Sequence, residues 1–297
     1  MTTTMKKNIA SKIALVGLLA SSTLTTMVQA QDKALLYEVT GPGLAKPSYL
    51  YGTFHLICLA DLQITDAIKK AVGDAQQVYL ELDMDDPAMM ANMQKAVMMS
   101  GGKTIKELLS PDDYTVLDNY LKQKMGMGLA QMGMFKPIGI MSMMYMTMLP
   151  CQPASYDMTF AQMAATDKKE VFGLETLEAE MAALDKIPLA EQLKGLVDMA
   201  KNPEEAKKEF SEMIDIYKAH DLDKLMGTMK TSKFSGGDFS QFEESLLGER
   251  NANWIPVIEK AAKEKPTFFA FGAGHLGNEK GVVNLLRKKG YTVKPVQ

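Results

Sequence analysis

The chain is poor in the side chains from which most catalytic centres are built. Its 297 residues include three histidines, two cysteines and a single tryptophan. No HExxH, Walker A loop or GxSxG pattern occurs, so nothing reads as a zincin helix, a nucleotide site or a serine-hydrolase elbow. Charge is nearly balanced, with 33 Lys and Arg against 36 Asp and Glu. There is no basic excess to hold a polyanion, which argues against nucleic acid as a partner. The apolar run Ile13 to Ala20 is far short of the ~20 residues that a membrane-spanning helix needs.

The first thirty residues have the layout of an export signal instead. Lys6, Lys7 and Lys12 make a basic region, Ile13 to Ala20 an apolar core, and Val28-Gln-Ala30 a small-residue cleavage site. No cysteine follows the core, so no lipid anchor is expected. The mature protein is expected to begin at Gln31, to be periplasmic or secreted, and to have no membrane span after cleavage. Losing three lysines and no acids takes its formal charge from −3 to about −6. Residues 31–297 suit one domain with a sizeable insertion.

What the chain does have is one small pattern used twice. Pro47-Ser-Tyr-Leu-Tyr-Gly52-Thr-Phe-His55 runs an aromatic, strand-like stretch into Gly-x-x-His, and Pro266-Thr-Phe-Phe-Ala-Phe-Gly272-Ala-Gly-His275 does the same. A helical stretch and an apolar or alternating run follow each copy: Ile64 to Val72 then Val78 to Leu82, and Lys280 to Lys289 then Tyr291 onward. Glycine after a strand permits a sharp turn or a close backbone approach. The histidine then sits beyond the strand's carboxyl end, where open α/β sheets place ligands. The expected fold is α/β, a central sheet built from two strand–GxxH–helix–strand pseudo-repeats, with both imidazoles meeting in one cleft.

Between the copies the composition changes. Most of the 25 methionines fall between Met84 and Met163. A large helical, Met-rich insertion is expected over about 84–166, with helices at 87–99, 112–124, 137–148 and 156–166. Ser110-Pro111 supplies the N-cap and first-turn proline of the second of these. Met141 to Met148 offers thioethers that would suit Cu(I). The Ala, Ile and Leu around it favour adaptable apolar filling, and a groove so lined would also suit a peptide. Lys169 to Gly173 reads as a strand, then helices from Glu175, at 189–200, 203–219 and 238–262, with a loop at 235–237. Cys58 and Cys151 are expected to bridge, their Cα atoms within ~7 Å.

A metal held by His55 and His275 needs a third ligand. Glu81 is the best placed, at the end of the strand that follows the first GxxH; alternation puts Glu81 and Asp83 on one face and Leu80 and Leu82 on the other. Two histidines and a carboxylate hold Zn²⁺, Mn²⁺ or Fe²⁺ with positions open for water. Glu175 is either a helix N-terminal charge favoured by the dipole or a general base. Arg250 and Asn251 are placed to hold an anion or oxyanion. His220, at a helix end, is given no catalytic role.

These stretches carry a resemblance. Ser48 to His55, Tyr79 to Asp83, Tyr156-Asp157 with the Ala-rich helix after it, Gly173 to Thr176, Glu249 to Asn251 with Trp254, and Phe271 to Leu276 with Gly290-Tyr291 resemble the TraB/PrgY/GumN family, its GumN-like branch in particular. More distantly the chain is similar to the Tiki proteins, metal-dependent peptidases with paired GxxH motifs and an essential glutamate. That resemblance implies metal ligands at His55, Glu81 and His275 and a divalent cofactor such as Mn²⁺, Co²⁺ or Zn²⁺. Glu175 and Arg250 are expected in catalysis, and Asn251 and Asp157 at the substrate. The expected activity is an exported, peptidase-like hydrolase acting on a peptide or small molecule. The alternative is a non-catalytic periplasmic binding protein for a peptide, envelope precursor or metal.

Overall fold

The structure is a computed structural model that describes Met1, residues 33–234 and residues 239–296. The expected export signal and the 235–237 loop lie outside the described residues. In chain order the strands are β1 (Leu36–Thr40), β2 (Ser48–Thr53), β3 (Ile57–Cys58), β4 (Gln77–Leu80), β5 (Pro153–Ala154), β6 (Val171–Gly173), β7 (Thr267–Gly272) and β8 (Thr292–Pro295). The helices are α1 (Asp66–Asp74), α2 (Met89–Ala96), α3 (Pro111–Met125), α4 (Leu129–Met132), α5 (Pro137–Met148), α6 (Tyr156–Thr166), α7 (Leu177–Leu184), α8 (Leu189–Lys201), α9 (Pro203–Lys218), α10 (Leu222–Thr231), α11 (Phe239–Phe242), α12 (Glu249–Glu264) and α13 (Val282–Lys288).

Six strands form one mixed sheet in the order β6-β4-β7-β2-β1-β8. The strands from the two GxxH copies lie side by side: β2 and β7 run parallel, with Gly52 opposite Phe271 and Thr53 opposite Gly272. β4 pairs parallel with both β7 and β6, while β1 is antiparallel to β2 and β8. From β2 the chain crosses to β4 on one side; from β7 it crosses to β8 on the other. The sheet therefore switches direction between β2 and β7, and the crevice at such a point, beyond the carboxyl ends, is where α/β sheets bind ligands.

Sequence explains why these two strands are central. Every residue of β2 is buried, and Phe268, Phe269 and Phe271 of β7 are sealed from solvent. Each such side chain contributes about 1.5–3 kcal/mol by leaving water. Helix starts obey local rules: Thr65 caps α1, Ser110 caps α3 with Pro111 in its first turn, and Ser155 and Thr176 cap α6 and α7. In the methionine-rich segment Met132, Met144 and Met148 are buried in the core, as apolar filling requires. Cys58 and Cys151 form the expected disulfide, Cα atoms 5.6 Å apart.

Three expectations need correction. The helix expected over 238–262 is broken: Glu243–Gly248 is a π-helical segment, which widens the turn before α12 begins. A helix at α10 was not anticipated, although Asp221 caps it by accepting from Lys224 N. The strand expected over 78–82 ends at Leu80. Alternation therefore does not extend to Glu81 and Asp83: Glu81 is buried, whereas Asp83 is half-buried and turned to Asp85.

Candidate functional site

The four parallel strands deliver four of the expected residues to one edge. His55 follows β2 by two residues, Glu81 follows β4 directly, Glu175 follows β6 by two, and His275 follows β7 by three. His55 Nε2 stands 3.6 Å from Glu81 Oε1. Gly272 separates the two histidines: a Cβ there would lie 3.2 Å from Glu81 Oε1, 3.3 Å from His55 Nε2 and 3.7 Å from His275 Cδ2. The space that Glu81 Oε1 and His55 Nε2 face, beside the edge of the His275 ring, stays open because residue 272 has no side chain.

Both rings are held from behind. His55 Nδ1 lies 2.9 Å from Asp157 Oδ2, and Thr53 Oγ1 donates to the other carboxylate oxygen at 3.1 Å. His275 Nδ1 lies 2.6 Å from Asn251 Oδ1, while Asn251 Nδ2 donates to the Lys280 carbonyl at 2.9 Å. The amide's orientation makes its oxygen an acceptor, so Nδ1 of His275 carries the proton and Nε2 presents a lone pair. Asn251, expected at the substrate, thus stands behind its imidazole, whereas Asp157 both orients His55 and lines the cleft in front of it. Partners of this kind set tautomer and ring orientation in metal sites.

Arg250 ties the rest together. Its Nη2 donates to Glu81 Oε2 at 2.5 Å, its Nε to Glu175 Oε1 at 2.8 Å, and its Nη1 to the Leu246 carbonyl at 3.1 Å. The same Nη1 is 3.2 Å from His275 Nε2, and Nη2 is 3.9 Å from Glu180. Trp254, one turn later in α12, lies beneath the guanidinium at 4.9 Å and against the His275 ring at 4.4 Å. Such stacking favours a cation over the indole face.

The electrostatics follow from burial and pairing. Burial alone would raise the Glu81 carboxyl, but the facing imidazole and guanidinium groups and the Gly272 N–H hold it at about 2. Burial pushes His275 down to about 3 against the pull of Glu81, so it is neutral. His55 is the exposed member, 65% of its side chain open. What desolvation it suffers is outweighed by Asp157 and Glu81, which raise it to about 10. Burial, then the Glu81 charge, raises Glu180 to about 7.

Donor chemistry fits a divalent cation once His55 gives up its Nε2 proton to it: two imidazoles oriented through Nδ1, one ionised carboxylate and a cradle that a Cβ would fill. The three donors are not yet gathered, because the His275 lone pair faces Arg250. Among the described residues no group of three or more His, Cys, Asp or Glu side chains is assembled to hold a metal ion as it stands.

A cleft of about 510 Å³ opens beside His55 and Glu81, walled by Met84, Met93, Met158 and Met181. Leu177, Glu180, Met181 and Leu184 also line it. They share one face of α7 at helical spacing, and a glutamate on an otherwise apolar stripe was the signal, passed over in the sequence, that Glu180 faces something polar. Thr53 and Ser155 were missed as well; Ser155 both caps α6 and reaches Asp157 at 3.3 Å.

The model of the TraB/PrgY/gumN family matches residues 35–295. Among curated proteins the chain is 25% identical to "Metalloprotease TIKI2" of Xenopus tropicalis, over 84% of this chain and 57% of that one. It is 23% identical to "Metalloprotease TIKI1" of Danio rerio, over 84% and 60%. With "Metalloprotease TIKI1" of Homo sapiens the identity is 21%, over 84% and 59%. The chain thus spans less than two thirds of the length of these relatives. No solved structure matches it.

Proposed function

The chain belongs to the TraB/PrgY/gumN family, and from that premise we propose that it is an exported, metal-dependent hydrolase of peptides whose two GxxH units act as pseudo-symmetric halves of one site. The observation that carries this reading is the pair of imidazoles, each fixed through Nδ1 by Asp157 or Asn251, on either side of the space at Gly272 that Glu81 closes. His55, Glu81 and His275 are the proposed ligands. A bound Mn²⁺, Co²⁺ or Zn²⁺ supplies a water that ionises near neutral pH.

The remaining roles fall to the chain's own groups. Glu175 is engaged by Arg250 through two nitrogens, which suits it to fix the guanidinium rather than to move a proton. Glu180, on the cleft wall and raised to about 7, suits the general base. Arg250 is the positive group nearest the ligands and is assigned to a developing oxyanion. The methionine walls accept apolar peptide side chains of varied shape. Export is supported by the disulfide, which persists in oxidising compartments, and no helix among the described residues is long and apolar enough to cross a membrane.

The test is purified protein incubated with Mn²⁺, Co²⁺ or Zn²⁺ and a peptide library, read by mass spectrometry. Metal-dependent cleavage that disappears in His55→Ala supports the reading. Peptide retained without turnover refutes it in favour of a binding protein.

Gly272→Ala gives a sharper outcome. Residue 272 has φ −48° and ψ 134°, which alanine accepts, so the thermal midpoint is expected to move by only a few degrees. The added methyl group enters the space between Glu81 and His55, and metal affinity is expected to fall at least about tenfold, the scale of a disturbed ligand shell. Calorimetric metal titration beside a melting curve checks both; unchanged affinity would remove the cradle from the site.

A further inference from the structure

We infer that Arg250 is the site's internal counter-cation: without metal its guanidinium stands in for the divalent ion, and metal uptake displaces it from Glu81 and His275 onto Glu175. The inference rests on the reading of His55, Glu81 and His275 as ligands.

The contacts divide into two sets. Arg250 reaches two of the three proposed donors, Glu81 Oε2 at 2.5 Å and His275 Nε2 at 3.2 Å. It is also held by Glu175, through Nε at 2.8 Å and through Nη2, the nitrogen that reaches Glu81 and lies 3.9 Å from Glu180. Neither Glu175 nor Glu180 is a proposed ligand. A single guanidinium, its side chain 10% exposed, is therefore the buried counter-charge of Glu81 and Glu175, with His55 sharing Glu81 from the cleft side. A divalent ion on Glu81 replaces that compensation with a larger charge and repels the arginine beside it. The Nε bond to Glu175 involves neither donor, so the guanidinium can release both without losing its carboxylate partner.

The backbone fits a side chain that must shift. Arg250 is the second residue of α12, directly after the π-helical segment Glu243–Gly248, and its Nη1 bonds the Leu246 carbonyl within that segment. π-segments of this kind recur at functional sites. Trp254 reads the event, because it contacts both the guanidinium and the His275 ring and is the chain's single tryptophan.

The experiment is a Zn²⁺ and a Co²⁺ titration of the full protein, followed by Trp254 fluorescence and by chelator competition, in wild type, Arg250→Met, Arg250→Lys and His55→Ala. Arg250→Met is expected to bind metal at least about tenfold more tightly than wild type, equivalent to about 1.4 kcal/mol. Arg250→Lys keeps a cation within reach of Glu175 and gives up the forked contact, so its affinity is expected to lie between the two. If circular dichroism shows Arg250→Met unfolded, Arg250→Lys decides. Arginine variants that fold and bind no more tightly than wild type overturn the inference, while metal binding that still depends on His55 leaves the ligand assignment standing. No metal binding by wild type, or binding indifferent to His55→Ala, overturns both.

Discussion

Glu81→Gln is expected to abolish tight metal binding and to lower peptide cleavage by about a thousandfold or more. Among the three proposed ligands, Glu81 alone brings negative charge, and its replacement removes the attraction that a divalent cation needs while keeping the side chain's shape. The loss reaches beyond affinity. Glu81 Oε1 accepts the Gly272 N–H at 2.7 Å and Oε2 accepts Arg250 at 2.5 Å, with the residue 7% exposed. An amide can still accept from Gly272 but must turn its NH₂ group toward the guanidinium. Removing one partner of a buried pair costs about 3–5 kcal/mol when the other stays unpaired. Here Glu175 still pairs with Arg250, so a cost at the low end, about 3 kcal/mol, is expected. Metal content by atomic absorption and a denaturant melt on the same preparation check the two effects. A variant that retains a full equivalent of metal would remove Glu81 from the ligand set.

Much of this site was legible because its residues sit at strand ends, and strand ends leave marks in sequence. The glycine and the histidine of each GxxH are local signals, and β2 and β7 are marked by aromatic runs. Glu81 is placed at a strand end by the same logic, but the alternation invoked for it does not hold. Alternation along 79–83 assumed a strand that in fact stops at Leu80, and the orientation of Glu81 comes from Arg250 and the Gly272 N–H. Those partners lie 169 and 191 residues away in sequence, beyond what any periodicity can reveal. The contacts of Asp157 and Asn251 to the two Nδ1 atoms are hidden from the sequence for the same reason. A side chain that touches the back of an imidazole and one that touches a ligand in front of it read alike until the fold sets their direction. Glu180 was missed because helical spacing was read for its apolar members alone.

Replacing both cysteines, Cys58→Ser with Cys151→Ser, is expected to lower unfolding free energy by about 4–5 kcal/mol, the chain-entropy value for closing a loop of this length; the two residues are 93 apart. Domains often have only ~5–15 kcal/mol in total, so the change is large. It should also reach the site. Cys58 in β3 pairs with Pro153 in β5, Ile57 pairs with Ala154, and Leu59 N bonds the Gln152 carbonyl at 2.9 Å. One arm of this clamp begins two residues after His55; the other leads directly into Ser155 and Asp157. The bridge therefore holds the first histidine against the carboxylate that orients it. Two β pairs and a fully buried Ile57 are slight compensation for a lost covalent link, so His55 should wander from Asp157 and metal affinity should fall about 10–100-fold, as when an orienting partner is lost. Denaturant curves and metal titrations of the double variant, with the oxidised wild type as reference, measure both quantities. An unchanged unfolding midpoint would show that the bridge does not constrain the unfolded chain. A full loss of stability with intact metal affinity would confine its action to the unfolded state and leave the β3–β5 pair sufficient to hold His55 in place.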